Sequence, residues 1–289
     1  MASTQALKLR IRSVGKTKQI TKAMQLVAAS KMRRAQEADK ASAPYTKVAS
    51  ELLGYLAGQV VTNDHPLFDR REIKSRLLIV ISSDKGLAGA YNTNVLKAYL
   101  HELKADDAQQ IANKTIAVGR KVAQFVTRLK DTDIIGVYED LADKPSGREL
   151  HAILDTARDM FLDGEVDAVD IVYTEFLSSL QQVPRVRRVL PAGFEASPAT
   201  EFLKEAKYEP RPEVLIDAVA YRLIGAQLYQ AMLDARASEH SMRMVAMKNA
   251  TDNASDLVDD LTLEMNKARQ GAITQELAEI SGGVEALND

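Results

Sequence analysis

Cysteine and tryptophan are absent from the 289 residues. That removes disulfides, thiol catalysis and thiolate metal sites from consideration. Aromatic residues make up only 5%, a composition suited to narrow helix–helix seams. Proline does not occur after Pro212. No apolar run approaches the length of about eighteen residues that marks a membrane-spanning helix. The four histidines, His65, His101, His151 and His240, are scattered without ligand spacing, so no histidine metal site is expected. Acid is missing from one end of the chain: residues 1–36 hold nine Lys or Arg and no Asp or Glu.

What is present is strongly patterned. Charged residues make up 27% and hydrophobic ones 46%, an ordinary balance, and the net charge is −2. That near-neutrality conceals segregation, because residues 252–289 hold nine acids against Lys267 and Arg269. Ends of opposite sign favour lying side by side. A seam runs through the proline-free tail at Met244, Met247, Thr251, Ala254, Val258, Leu261, Met265, Ala268 and Ala272. Its alternating steps of three and four are the repeat of a helix packed lengthwise on another. A helix over 213–289 would reach roughly 100 Å.

Residues 3–60 read as a second long helix. Leu7, Ile11 and Val14 begin its apolar stripe; Lys18 interrupts it, and Ile20, Met24, Val27 and Met32 resume it on a shifted face. Pro44 is expected to kink or loosen this helix. The stretch from Val61 to Ser75 carries turn chemistry. The middle then alternates. Arg76-Leu-Leu-Ile-Val-Ile-Ser, Lys114-Thr-Ile-Ala-Val-Gly, a weaker run from Asp133 and the run from Asp167 to Phe176 read as strands, with helices at 92–105, 119–130 and 146–163. Gln181 to Pro191 reads as a final strand, and its Pro184 suits an edge. The expected fold class is α+β overall. The N- and C-terminal helices, 1–60 and 210–289, form a long antiparallel coiled coil, and a small, largely parallel α/β (Rossmann-like) domain over 76–195 is inserted between them.

Several stretches invite sharper readings. Ser83-Asp-Lys-Gly-Leu-Ala-Gly-Ala-Tyr-Asn lies between a strand and a helix, where a phosphate loop would sit. It lacks both the Gly-Lys-Ser/Thr ending of a P-loop and the dinucleotide glycine pattern, so Gly86 and Gly89 are read as shaping a tight turn. The acids from Asp163 to Asp170 have no general acid–base partner and read as a solvated strand end. Asp252, Asp256, Asp259 and Asp260 lack calcium-loop spacing and read as an exposed helix face. The basic N-terminus suggests a transit peptide or a nucleic-acid arm. It has no cleavage-like break, and no aromatic residue precedes Tyr45 to stack on bases.

Longer motifs at both ends carry a family resemblance. They are Ile11-Arg-Ser-Val and Lys18-Gln-Ile-Thr-Lys-Ala-Met-Gln-Leu-Val-Ala-Ala-Ser-Lys-Met-Arg-Arg near the N-terminus. In the tail they are Ala237-Ser-Glu, Arg243-Met-Val-Ala-Met-Lys-Asn-Ala-Thr-Asp-Asn, Asn266-Lys-Ala-Arg-Gln and Ile273-Thr-Gln-Glu-Leu-Ala-Glu-Ile. With these the chain resembles, over essentially its whole length, the γ subunits that form the central rotor shaft of F-type ATP synthases, particularly bacterial ones. Val284 departs from the small residue usual after Gly283 in that family.

The resemblance implies a coiled coil passing through a hexamer of α and β subunits and a foot docked with ε on the membrane c-ring. Such a chain has no catalytic site and no cofactor. It couples proton-driven rotation to conformational change at the β-subunit sites, from a peripheral complex on the cytoplasmic face of the bacterial inner or plasma membrane. Carried over by motif, Arg269 and Gln270 are expected to catch a β-subunit loop, with Thr274 and Glu276 beside them. Met24, Lys31 and Arg33 are expected to meet an acidic lever loop of β, with Arg243 and Met247 on the opposing helix. Tyr208 and Glu209 match the foot segment that touches the c-ring. The absence of cysteine excludes the redox insert of chloroplast relatives. A nucleotide-binding α/β enzyme with oligomerising helices is the alternative, and a nucleic-acid-binding coiled coil comes third.

Overall fold

A computed structural model describes residues 4–57, 65–129, 132–143, 147–193 and 212–288. Helix α1 spans Thr4–Leu56 and continues through Pro44. A single 3-10 turn at Pro66–Phe68 leads to strand β1, Ser75–Ile81. Helix α2 (Tyr91–Ala108), β2 (Ala112–Val118), α3 (Arg120–Val126), β3 (Asp133–Tyr138), α4 (Gly147–Leu162), β4 (Ala168–Phe176) and β5 (Gln182–Leu190) follow. Helix α5, Pro212–Asn288, closes the chain. Contacts divide it into two compact units, one of residues up to Val27 with those from Met244, the other Ala28–Arg243.

The first unit is an antiparallel helix pair. Along α5, Met247, Thr251, Ala254 and Leu261 are buried and Met244, Val258, Met265 and Ala268 partly so. The expected seam therefore holds to Ala268, and Ala272 is exposed. On α1 the facing positions are Leu7, Ile11, Val14, Lys18, Thr21 and Met24. This corrects the shifted stripe, since Ile20 and Val27 are 60% and 57% exposed. Lys18 does not interrupt the seam; it stays in it, its Nζ donating to Ser255 Oγ at 2.9 Å. One turn further, Thr251 Oγ1 lies 2.8 Å from Thr21 Oγ1. A polar layer thus sits between apolar ones, the arrangement that fixes register in coiled coils. Among the described residues no ion pair joins the basic helix to the acidic one. The opposite charges that the sequence sets at the two ends meet through this seam rather than through salt bridges.

The second unit is built on a five-stranded sheet of order β3-β2-β1-β4-β5. The first four strands are mutually parallel, and β5 returns antiparallel along β4 with Pro184 opposite Thr174 at the edge. Central β1 is buried on both faces, which explains its unbroken apolar run. Leu77, Ile79 and Ile81 face one core, completed by α4, by α1 at Ala49 and Leu53, and by α5 at Ala220, Ile224 and Leu228. Leu78 and Val80 face the other, closed by Tyr91, Val95 and Tyr99 of α2 and by Val122 and Val126 of α3. Among the described residues the first core is the larger, with 31 buried side chains against 11 in the second, and both pack the sheet closely. Asp170, read from the sequence as part of a solvated strand end, is instead 2% exposed. It sits between Arg188, which grips it with two bonds of 2.9 Å, and Arg76 at 3.0 Å. The strand's period of two turns it inward, and the charges that accompany it come from β1 and β5.

Candidate functional site

From Gln230 to Ser241 every residue of α5 is buried, on all sides of the helix. Small residues make that possible. Ala235, Ala237, Ser238 and Ser241 are each at most 1% exposed, so neighbouring backbone comes close. Ser238 Oγ donates to Thr174 O at 3.2 Å and Ser241 Oγ to Ser179 O at 2.8 Å. Charged groups enter the same stretch, and each finds a partner. Arg236 Nη1 donates to Glu239 Oε2 at 2.9 Å, and its Nη2 donates to Leu141 O at 2.9 Å. Glu239 Oε1 also takes Arg243 Nη1 at 2.8 Å. Buried charges of this kind persist only when paired and hydrogen-bonded.

His240 extends the network. Its Nε2 lies 3.1 Å from Asp143 Oδ1, and Arg243 Nη1 is 3.3 Å from its Nδ1. A guanidinium only donates, so Nδ1 accepts and the proton sits on Nε2, facing the carboxylate. Burial pushes the imidazole below its ordinary pKa despite the nearby carboxylates of Glu239 and Asp143, consistent with a neutral ring. On its other oxygen Asp143 takes Lys31 Nζ at 2.8 Å. Burial alone would raise this carboxyl; the hydrogen bond and charge of Lys31, with the hydrogen bond from His240, overcome that and hold it below the usual range. Lys31 of α1 and Arg243 of α5, two residues expected to serve coupling, are thereby joined through two residues that were not.

The loop weighed as a phosphate cradle closes onto this network. Ser83 Oγ bonds Lys85 O and Asn92 Oδ1, and Arg243 donates to the carbonyls of Lys85 and Gly86 at 3.1 and 3.3 Å. Phosphate binding needs converging N–H groups. Here carbonyls converge on a cation, the opposite polarity. Gly89, at φ +57°, makes the turn into α2. The nucleotide-binding alternative thus loses its strongest motif.

Two further carboxyls meet between α1 and α5. Asp39 accepts from Gln230 Nε2, and Asp234 receives the amide of Phe176 at 3.4 Å. Burial raises both, and the negative charge of Asp39 adds to the effect on Asp234, which is pushed up to about 7. Neither had a signal in the sequence beyond being acid on a helix.

The remaining expected residues fall as follows. Met24 is half-buried and Met247 buried in the seam of the first unit, where Met247 O accepts Thr251 Oγ1 at 2.7 Å. Arg33 is exposed. Arg269, Gln270, Thr274 and Glu276 are all exposed on α5, and Thr274 Oγ1 is tied back to Gln270 O at 3.0 Å. Arg269 also borders a shallow groove with Thr4, Lys8 and Met265. Tyr208 and Glu209 lie outside the described residues. The sequence does not single out Asp143, in a loop, or His240, a lone histidine; only the fold brings them together.

Comparison with known proteins shows which family the chain resembles. The family model described as ATP synthase matches residues 3–287. The chain is 41% identical to the ATP synthase gamma chain of Opitutus terrae, over 97% of each chain. It is 39% identical to that of Staphylococcus saprophyticus, over 99% of this chain and 100% of the other. Among solved structures it is similar to a chain of the central stalk and c-ring of Tetrahymena thermophila mitochondrial ATP synthase. The TM-score there is 0.62 at 25% identity, covering 80% of this chain and 99% of that one.

Proposed function

The chain belongs to the ATP synthase gamma-chain family, and on that premise we propose how its surfaces serve the central rotor of the complex. A gamma chain is a subunit of the synthase without a catalytic site of its own, so its surface is what acts. It turns within a collar of α and β subunits while its α/β body, with ε, is driven by the membrane c-ring. The observation that carries this reading is the exposed apolar character of the helix pair. Leu9, Ile20 and Leu26 on α1 and Leu263 on α5 are 56–63% exposed. Past the end of the pair, Ile273, Leu277 and Ile280 continue at helical spacing, 49–64% exposed. Side chains of this kind, repeated along one helix, mark a surface that is covered in an assembly.

Arg269 and Gln270, with Thr274 and Glu276, supply polar contacts to β beside that apolar surface. Met24, Lys31, Arg33, Arg243 and Met247 serve the acidic lever of β, and Tyr208 and Glu209 serve the c-ring. Among the described residues no helix is long and apolar enough to cross a membrane, and the complex sits peripherally on the cytoplasmic face of a bacterial membrane. The test is assembly. Co-expressed with α, β and ε, the chain is expected to purify in a stoichiometric complex whose ATP hydrolysis turns a bead fixed to the α/β body. A complex that forms and hydrolyses ATP equally well without this chain would overturn the reading.

A further inference from the structure

We propose that Asp143 is a positioning residue: anchored from within by His240, it sets the Lys31 ammonium in place for an acidic partner surface. The inference rests on the reading of Lys31 as a coupling contact and goes beyond it by assigning the residue that prepares it. The two sides of the Asp143 carboxylate differ. On one, His240 is 4% exposed and locked as the Nε2–H tautomer by the donating Arg243. On the other, Lys31 and Asp143 are about half exposed, at 45% and 46%. A directional bond to a buried imidazole stays made, while an ion pair half exposed on both sides is weak and exchanges readily. Asp143 is therefore the fixed member of the pair and Lys31 the one that leaves.

A lysine on a free four-carbon stem must lose much rotational freedom on meeting a carboxylate. With Asp143 in place that ordering is done in the chain itself, and contact with an acidic partner becomes an exchange of one carboxylate for another. Arg33, on the same basic stretch of α1, is exposed. The arrangement thus singles out one cation of the ridge for preparation, and Asp143 reaches it from the β3–α4 loop.

The experiment uses assembled complexes in membrane vesicles, reading protons pumped per ATP hydrolysed for Lys31→Gln, Asp143→Asn, Asp143→Glu and the double variant Lys31→Gln/Asp143→Asn. Asp143→Asn is expected to lower the ratio roughly two- to fivefold, the range a half-exposed ion pair can supply. Asp143→Glu should restore it, and the double variant should be no worse than Lys31→Gln alone. An unchanged or raised ratio in Asp143→Asn overturns the proposal, as does an equal further loss on the Lys31→Gln background, which would mean a merely structural role. If Lys31→Gln itself matches the parent, the coupling reading of Lys31 fails and the proposal with it. If Lys31→Gln is impaired and Asp143→Asn is not, the proposal alone fails.

Discussion

Lys18 on the first helix donates its Nζ to Ser255 Oγ on the last, across 2.9 Å and 237 positions of sequence. A cation inside a coiled-coil seam costs stability compared with an apolar residue, but it accepts only one register. Thr21 and Thr251 extend the same layer by one turn, so the pairing of the two ends is specified by hydrogen bonds as well as by volume.

Thr251→Val tests that layer. It leaves the Thr21 hydroxyl without its cross-helix partner and should cost about 1 kcal/mol of stability, most of it recovered in Thr21→Val/Thr251→Val because both polar groups are then gone. Urea unfolding of the single and double variants measures it, and a double variant as weak as the sum of the singles would contradict it.

Asp234 makes stability depend on pH. Its folded pKa of about 7 lies above the ordinary carboxyl value of 3.8, so across that window the folded chain holds a proton the unfolded chain has released. Stability is accordingly highest below the unfolded value and falls as pH rises toward 7, then levels off, by on the order of a few kcal/mol in all. Asp234→Asn keeps an oxygen to accept the Phe176 amide and should flatten the curve, making the variant more stable than the parent at pH 8. Unfolding midpoints between pH 5 and 8 decide the matter.

Gly119 links β2 to α3 at φ +95°, and a Cβ there would lie 2.4 Å from the carbonyl oxygen of Ser82. Neither the dihedral nor the backbone contact can relax cheaply. Gly119→Ala should therefore lose about 3 kcal/mol or more, seen as a lower urea midpoint with an unchanged slope.

Arg269→Ala/Gln270→Ala removes two exposed side chains from an exposed stretch of helix. The isolated chain should keep its unfolding midpoint within about 0.5 kcal/mol, as surface substitutions do. ATP turnover of the assembled complex should fall severalfold. Unchanged turnover would remove Arg269 and Gln270 from the coupling surface.

Much of the architecture was legible because it rests on periodicity. The three-and-four steps from Met247 to Ala268 and the apolar runs of β1, β2 and β4 are local signals, and each element folded where its period placed it. Lys18 misled because hydropathy cannot distinguish a charge that ends a seam from one that bonds across it. Ile20 and Val27 mislead for the complementary reason: an apolar stripe predicts inward side chains, whereas these two are exposed. The site was less legible. Arg243 and Lys31 stood out through motifs, but Asp143 and His240 are 97 positions apart, and no local pattern announces a contact that the sheet and both helices must first assemble.

The enclosed stretch of α5 from Gln230 to Ser241 has a mechanical consequence. A helix packed on one face can roll or slide in its groove, since apolar contacts have little directional preference. This one is gripped all round, and Ser238, Ser241 and Arg236 act like the teeth of a spline, each bond to the body tied to one angular setting. Turning the helix about its axis inside the α/β body would break them all at once and bare buried charge. Angular displacement of that body therefore passes into the helix without slip.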